Sequence, residues 1–179
     1  MVTRELHRID SSEARRRAAR IKLVLTDSDG VLTDGGVYYG ESGEVLKRFS
    51  IRDGMGVERL RRIAGIETGI VSGENTSAAA RRAAKLEIRE LHLGARDKVA
   101  VLRKVAGRRK LDPSEIAYIG DDVNDLEAMK ASGLSACPAD AVAAVREAAD
   151  YVCASRGGHG AFREFAELLI DAMEGGNRD

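Results

Sequence analysis

Residues Ile21 to Gly36, IKLVLTDSDGVLTDGG, decide the fold, because an apolar run ends there in two aspartates and a glycine. Five of the six residues from Ile21 to Thr26 are apolar or β-branched. That pattern predicts a buried parallel strand, after which the chain turns sharply at Gly30. We therefore expect Asp27 and Asp29 at the carboxyl end of a central strand, where open α/β sheets bind their ligands.

Two carboxylates so close together repel each other unless a proton or a cation joins them. At about 4 Å and an effective dielectric constant near 20, the repulsion is roughly 4 kcal/mol, or about three pKa units. A hard divalent cation with oxygen ligands, Mg²⁺ by preference, would satisfy both carboxylates and any phosphate brought to them. Taken alone, the stretch fits a solvated, aspartate-rich turn equally well.

Length, charge and cysteine content restrict the class of protein. A chain of 179 residues fits one domain with a real core. Its 29 basic and 29 acidic residues cancel, which removes the electrostatic case for nucleic acid or an anionic membrane as the main partner. Cys137 and Cys153 match no metal-ligand spacing. Without an apolar signal core or a membrane-length apolar run, we expect a soluble cytoplasmic protein.

Strand-like runs alternate with helix-like segments through the whole chain, which predicts an α/β fold with a doubly wound parallel sheet. We expect an N-terminal extension with a short surface helix over residues 1–20. A single domain should then cover residues 21–173, followed by a tail over residues 174–179. No repeat or linker divides the chain.

Residues 36–50 interrupt the alternation, because two β-rich pieces flank a Gly-Glu-Ser-Gly turn there and predict a hairpin. The hairpin directly follows the paired aspartates and should overhang them. Its side chains Tyr38, Tyr39, Leu46 and Phe49 have little of the core to pack on, and a small hairpin is not stable alone in water. Burial against another subunit is the expected remedy.

Polar residues follow several other predicted strands. Ser72 and Gly73 end the second strand before a helix, a position whose free N–H groups suit a phosphate. Lys98 follows the third strand, and Asp121 and Asp125 follow the fourth in the sequence GDDVND. The ends of parallel strands emerge on one edge of the sheet, so these residues should meet Asp27 and Asp29 there.

These motifs resemble those of the haloacid dehalogenase (HAD) superfamily of phosphotransferases. The hairpin, RDGMG, the Asp97-Lys98 pair and GGHGAFRE look like its capless branch, the 3-deoxy-D-manno-octulosonate 8-phosphate (KDO 8-phosphate) phosphatases and close relatives. The resemblance covers about Lys22 to Leu169. It implies a Rossmann-like HAD core without a cap domain and a phosphatase acting on a phosphorylated sugar acid.

The resemblance also implies roles for the acidic residues. Asp27 would be the nucleophile that forms an aspartyl-phosphate, and Asp29 the general acid and base. Mg²⁺ would be held by the Asp27 carboxylate, the Asp29 carbonyl and Asp121, with Asp125 orienting that shell.

Three further residues would handle the phosphate in the same scheme. Ser72 and the Gly73 N–H would bind phosphoryl oxygens, and Lys98 would screen the charge between nucleophile and phosphate. Two of them have a plainer explanation: Ser72 as a helix-entry residue and Lys98 as a solvated side chain.

The sequence leaves two sugar-acid phosphates as candidate substrates. The octulosonate phosphatases typically carry Arg after Ser-Gly, and this chain has Glu74. The pair Glu74 and Lys85 is similar to a pair in the branch that acts on nine-carbon 2-keto-3-deoxynononate 9-phosphate. Lys85 lies about 16 Å beyond Glu74 along the predicted helix, too far for the two to pair directly. RDGMG keeps the octulosonate pattern. The plain alternatives are an acid at a helix N-terminus for Glu74 and a solvated face for Lys85.

Two arginines, Arg52 and Arg163, are candidates for contact with a substrate carboxylate, with solvated side chains as the even alternative. The resemblance implies a homotetramer with active sites at subunit interfaces. The family's glycine-rich tail is thought to reach a neighbouring site, so His159 is either such a residue or a plain loop residue.

Other functional classes stay open. Domains of this type occur fused to sugar-acid cytidylyltransferases, where assembly is their main role, and a HAD phosphatase of other specificity is a nearer alternative. A receiver domain is also doubly wound with an acidic pocket, but the hairpin and Asp-x-Asp-Gly disfavour it.

Overall fold

The computed structural model describes residues 11–41 and 43–175. The strands are β1 (Leu23–Thr26), β2 (Thr33–Gly40), β3 (Gly43–Phe49), β4 (Glu67–Val71), β5 (Glu90–His92), β6 (Ile116–Ile119), β7 (Leu134–Cys137) and β8 (Tyr151–Val152). The α-helices are α1 (Ser11–Ala18), α2 (Ile51–Arg59), α3 (Ser77–Lys85), α4 (Lys98–Arg109), α5 (Leu126–Ala131), α6 (Ala143–Ala148) and α7 (Ala161–Gly175). A π-helical turn (Leu60–Ala64) follows α2, and two 3-10 turns (Pro113–Glu115 and Val123–Asp125) flank β6. Residues 1–10 of the predicted extension and 176–179 of the predicted tail lie outside the described ranges.

Six strands form one parallel sheet in the order β5-β4-β1-β6-β7-β8. β1 lies inside it, where Thr26 is in register with Ile70 of β4 and with Ile119 of β6. The sheet confirms the predicted doubly wound α/β fold. Among the described residues, no helix is both long and apolar enough to cross a membrane.

Helices cover both faces of the sheet, which is why all four residues of β1 are buried. Val24 packs in a core with residues of α2, α3 and α7, whereas Leu23 and Leu25 pack in a second core with residues of α4, α5 and α6. Successive strand side chains point to opposite faces, so one short strand serves both cores. The predicted surface helix α1 also contributes, because Ala18 is fully buried in the first core.

Capping side chains stabilise the N-termini of α3 and α4, the helices that follow β4 and β5. The Thr76 hydroxyl accepts a hydrogen bond from the N–H of Ala79 at the start of α3. An Asp97 carboxylate oxygen accepts one from the N–H of Ala100 at the start of α4. Both satisfy N–H groups that a helix otherwise leaves without partners. The Asp97 cap fixes the position of Lys98, the first residue of α4.

The hairpin forms as predicted, from β2 and β3 in antiparallel pairing. Tyr38, Tyr39 and Leu46 are 62%, 76% and 63% exposed, as expected for side chains without a core. The prediction was wrong for Phe49, which is half-buried against the first core and lies under the Arg82 guanidinium. Phe49 ends the hairpin where the chain enters α2, so the main core is within reach. Within the described residues, no cap domain accompanies the hairpin.

Candidate active site

The predicted polar residues meet at the carboxyl edge of the sheet around a cavity of about 260 Å³. Most of its lining comes from the loops after β1, β4 and β6. The lining residues are Asp27, Asp29, Gly30, Gly35, Ser72, Gly73, Glu74, Asp121, Asp122 and Asn124. Lys98 and Asp125 are buried directly beside the aspartates of this lining.

Asp27 continues β1 beyond its last residue, because its N–H donates to the Ile119 carbonyl at 3.0 Å. One carboxylate oxygen, Oδ1, accepts a hydrogen bond from the N–H of Ser28 at 2.6 Å. The other, Oδ2, lies 2.8 Å from Nζ of Lys98. The side chain is therefore held from two directions at the bottom of the cavity.

Asp125 is fully buried and has hydrogen bonds to both of its oxygens. Oδ1 accepts from Nζ of Lys98 at 2.7 Å and from the Tyr118 hydroxyl at 2.8 Å. Oδ2 accepts from the backbone N–H groups of Asp121 and Asp122. Asp125 thus fixes the loop that carries Asp121. Tyr118 was not predicted from the sequence, although a tyrosine in an otherwise apolar buried strand just before GDD signals a polar partner.

Asp121 faces Asp27 with one oxygen left without a partner. Its Oδ1 is buried and accepts no hydrogen bond from the described protein atoms. Gly30 lies against the same carboxylate, at a position where any Cβ would overlap Asp121. Its φ of +85° also favours glycine. The glycine that follows the paired aspartates therefore lets two loops approach each other.

The acidic cluster fits a hard divalent cation. Asp27, Asp121 and Asp125 each present a carboxylate oxygen, and these atoms all lie within 4.8 Å of one another. With all three carboxylates ionised, Lys98 would offset only one of their three negative charges. An oxygen-only donor set suits Mg²⁺, and the buried Asp121 oxygen has no hydrogen bond that a cation would have to replace.

Burial and mutual repulsion shift the titration of the cluster. Burial raises the pKa of Asp27 to about 7, with Asp125 adding to the rise and Lys98 opposing it. Burial raises the pKa of Asp121 to about 8, and the charges of Asp27 and Asp125 raise it further. For Lys98, burial lowers the pKa but the carboxylates of Asp27 and Asp125 outweigh it, so the net shift is upward. A bound cation would restore the ionised carboxylates.

The loop after β4 supplies groups suited to a phosphate and to its ester. Ser72 is 1% exposed, and its Oγ accepts a hydrogen bond from the N–H of Glu74 at 3.2 Å. Glu74 is exposed and lines the cavity. Since α3 begins only at Ser77, Glu74 lies outside its first turn, and the helix-terminus explanation for this acid does not apply. Asn124 lies across the cavity from Gly73 and was not singled out from the sequence.

Asp29 has a partner that was not predicted from the sequence. Its Oδ2 lies 2.7 Å from Nζ of Lys47, a residue of β3 whose side chain is 1% exposed. Its Oδ1 is 3.4 Å from the Thr33 hydroxyl. The available signal was a lysine in the middle of a hairpin strand that was itself predicted to overhang the aspartates.

Some predicted residues lie away from this cavity. Lys85 is exposed in the last turn of α3 and Arg52 is exposed in the first turn of α2, and neither lines the cavity. Arg163 pairs with Glu167 at 2.6 Å and lines a separate cavity. In the RDGMG motif, the residue with a structural role is Asp53. It accepts hydrogen bonds from the N–H groups of Gly160 and Arg163, and so joins α2 to the start of α7.

The glycine-rich loop before α7 packs on the β1 loop of its own chain. The N–H of Gly158 donates to the Val31 carbonyl at 2.9 Å. Gly157 contacts the Gly30 carbonyl so closely that no Cβ would fit. The His159 ring lies 2.7 Å from a guanidinium nitrogen of Arg48. His159 is therefore tied to the hairpin next to the site.

Comparison with known proteins gives a consistent result. The haloacid dehalogenase-like hydrolase family matches residues 38–133. The 3-deoxy-D-manno-octulosonate 8-phosphate phosphatase of Haemophilus influenzae is 40% identical over 153 residues, which cover 86% of this chain and 84% of that protein. The phosphatase of the same name from Escherichia coli K12 is 38% identical over 163 residues, 91% of this chain and 86% of that protein.

Solved structures are similar over almost the same span. The cobalt-bound phosphatase of this name from Haemophilus influenzae has a TM-score of 0.85 and 39% identity, covering 88% of this chain and 92% of that one. The enzyme from Moraxella catarrhalis, in complex with magnesium, phosphate and KDO, has a TM-score of 0.88 and 33% identity. That match covers 93% of this chain and 95% of the other.

Proposed function

This chain belongs to the haloacid dehalogenase-like hydrolases, and we propose that it is a Mg²⁺-dependent phosphatase of KDO 8-phosphate. As a phosphoric monoester hydrolase it would release inorganic phosphate and the free sugar acid. One observation supports this most strongly: Asp27 and Asp121 come from separate strands, share a cavity, and lie close enough to bind one cation. The matches to relatives named for this activity cover most of this chain and most of each relative.

The metal would be held by the carboxylates of Asp27 and Asp121 and by the Asp29 carbonyl. Bound there, Mg²⁺ supplies a Lewis acid that neutralises charge on the phosphoryl oxygens. Asp125 orients the loop through its hydrogen bonds to the Asp121 and Asp122 N–H groups. This arrangement makes Asp125 a support for the ligands.

In the first step, a carboxylate oxygen of Asp27 attacks phosphorus as the bond to the sugar oxygen breaks. Asp29 donates a proton to that leaving oxygen. Lys98, 2.8 Å from Asp27, restrains the nucleophile and offsets negative charge beside it. The Ser72 hydroxyl and the Gly73 N–H donate to phosphoryl oxygens. The product is an aspartyl-phosphate and a free sugar acid.

In the second step, water attacks the phosphorus of the aspartyl-phosphate while Asp29 accepts its proton. The bond between phosphorus and the Asp27 oxygen breaks, and inorganic phosphate leaves. Asp29 thus ends the cycle with the proton that it began with. The described residues of one chain include no cap domain over the cavity, so the water for this step would enter from the open side of the cavity or past a neighbouring subunit.

The nine-carbon 2-keto-3-deoxynononate 9-phosphate is the second candidate substrate, favoured by Glu74. Its carboxylate lines the cavity and would accept hydrogen bonds from sugar hydroxyls. A direct test compares Mg²⁺-dependent phosphate release from the eight-carbon and the nine-carbon ester. We expect the eight-carbon ester to have the higher kcat/KM. Equal rates on both and on simple phosphate esters would contradict a sugar-acid phosphatase.

Assembly and location complete the proposal. We propose a cytoplasmic homotetramer in which the exposed Tyr38, Tyr39 and Leu46 are covered by neighbouring hairpins. Residues 21–173 would be the catalytic domain and residues 36–50 its assembly hairpin. Arg52 and Lys85, which lie outside the cavity of their own chain, would contact the substrate only across such an interface.

A purely structural role, as an oligomerisation domain for a sugar-acid cytidylyltransferase, is the alternative from another class. The complete set of acids around Lys98 argues against it, because buried like charges cost stability unless they bind something. Failure to release phosphate from any ester in the presence of Mg²⁺ would favour that alternative.

A further inference from the structure

We infer that Lys47 is a positioning residue for Asp29, the group proposed above as general acid and base. This inference rests on the proposed phosphatase function. Nζ of Lys47 lies 2.7 Å from Oδ2 of Asp29, and the two side chains are 1% and 26% exposed. The lysine is thus enclosed, while the carboxyl group that it holds reaches the cavity.

The alternation of β3 explains how a hairpin residue enters the site. Its neighbours Leu46 and Arg48 lie on the other face of the strand, with Leu46 63% exposed and the Arg48 side chain 46% exposed. Side chains of a strand point alternately to opposite faces, so Lys47 points toward Asp29. A shift of one residue in the hairpin register would exchange these faces and remove the lysine from the site.

The burial of Lys47 calls for a specific partner. A lysine on a hairpin ordinarily extends its ammonium group into water, and an enclosed ammonium group is costly unless it is paired. Oδ2 of Asp29 accepts a hydrogen bond from this ammonium group at 2.7 Å, and an oxygen in that position accepts whether or not Oδ1 carries a proton. The 3.4 Å separation between the Thr33 hydroxyl and Oδ1 is long for an O–H···O hydrogen bond. One oxygen of Asp29 is therefore fixed by Lys47, and the other is left for proton transfer.

This division of the two oxygens fits both chemical steps. In the first step, the proton on Oδ1 of Asp29 passes to the leaving oxygen as the sugar–oxygen bond to phosphorus breaks and the Asp27 oxygen bonds to phosphorus. In the second step, a water oxygen bonds to phosphorus, its proton passes to the same Oδ1, and the bond to Asp27 breaks. Lys47 gains and loses no proton; it restrains the group that does.

The leaving group of the ester provides the test. A sugar alkoxide needs a proton to leave, whereas p-nitrophenolate is a weak base and leaves without one. We expect Lys47→Met to lower kcat/KM for KDO 8-phosphate by at least about tenfold, part of the roughly 10²- to 10⁴-fold that general acid–base catalysis contributes. For p-nitrophenyl phosphate the loss in kcat/KM should stay below about threefold, because kcat/KM covers the steps through departure of the leaving group, and p-nitrophenolate leaves without a proton from Asp29. Lys47→Arg should recover part of the lost activity.

Two controls separate positioning from a general loss of structure. Lys104→Met changes an exposed lysine of α4 outside the site and should leave both kcat/KM values unchanged. In an Asp29→Asn background, Lys47→Met should cause no further loss, because Lys47 acts through Asp29. Equal losses on the two esters, or no loss on either, would overturn the inference. If the wild-type protein releases phosphate from neither ester, the proposed function fails first, and this inference fails with it.

Discussion

Tyr118 donates its hydroxyl hydrogen to Oδ1 of Asp125 over 2.8 Å, and neither side chain reaches solvent. The tyrosine belongs to β6, and the aspartate belongs to the loop that this strand feeds. The hydrogen bond therefore links the central sheet to the carboxylate that fixes the Asp121 loop and pairs with Lys98.

Tyr118→Phe should lower the free energy of unfolding by about 1.5 to 3 kcal/mol, the contribution of a buried hydrogen bond to a charged group. Lys98 would then be the one remaining side-chain donor to that oxygen among the described contacts. Urea unfolding measures the loss. Tyr38→Phe, which removes an exposed hydroxyl, is the matched control and should change stability by less than about 0.5 kcal/mol. A similar change for both variants would mean that the Tyr118 hydrogen bond makes no net contribution to the free energy of unfolding.

Asp27→Asn should abolish Mg²⁺-dependent phosphate release and leave the fold intact, because an amide oxygen is a poor nucleophile for phosphorus. We expect a loss of at least about 10³-fold in kcat. Steady-state phosphate release and far-ultraviolet circular dichroism test the two halves of this prediction. Asp171→Asn, an exposed change on α7, is the control. Retained turnover in Asp27→Asn would reassign the nucleophile.

The stability of the metal-free protein should fall as the pH rises through about 7 and 8. The pKa of Asp27 is raised to about 7 and that of Asp121 to about 8, so the native state binds more protons than the unfolded chain at intermediate pH. The contribution of these two groups to stability is fully present below their pKa in the unfolded chain, near 4. It is lost as the pH rises through their pKa values in the folded protein.

Thermal unfolding in a chelator and in Mg²⁺, from pH 5 to pH 9, tests this dependence. The stabilisation by Mg²⁺ should grow with pH, since the cation favours the ionised carboxylates. Asp121→Asn should flatten the curve in the chelator. A midpoint that does not change with pH in the chelator would show that the carboxylates are not coupled as described.

Glu74→Ala should raise KM for whichever sugar-acid ester the wild-type protein prefers by about tenfold and change kcat less than about twofold, since a hydrogen bond to a charged acceptor is worth about 1.5 kcal/mol. The exposed carboxylate lines the cavity where the sugar would lie. KM for p-nitrophenyl phosphate should not change, because that ester has no sugar hydroxyls. Glu127→Ala on α5 is the control. An unchanged KM for the sugar ester would remove Glu74 from substrate binding.

Leu46→Glu should break the proposed tetramer into smaller species, because a charge on the exposed apolar face of the hairpin must lose its water when that face is covered. Light scattering coupled to size exclusion measures the mass. Val142→Glu changes a side chain that is 40% exposed elsewhere on the chain and should leave the mass unchanged. A wild-type protein that is itself monomeric would contradict the assembly.

The sequence by itself determined the sheet and its acidic edge. Asp27, Ser72 and Asp121 each follow an apolar strand. In any doubly wound fold these residues lie on one edge of the sheet, because parallel strands all point the same way. The hairpin also followed from local pattern alone, since its two β-rich pieces flank a turn. Local sequence carries these features because strand period, turn residues and capping groups act over a few positions.

Only the tertiary structure decided which side chains touch. Tyr118 meets Asp125, and Lys47 meets Asp29 across 18 positions of chain, at distances set by packing and hairpin register. The same packing buried Phe49 against the core and left Lys85 outside the cavity. Hydrogen bonds form at about 3 Å, whereas a sequence pattern places an element to within several ångströms. Contacts between elements therefore depend on how the whole chain packs.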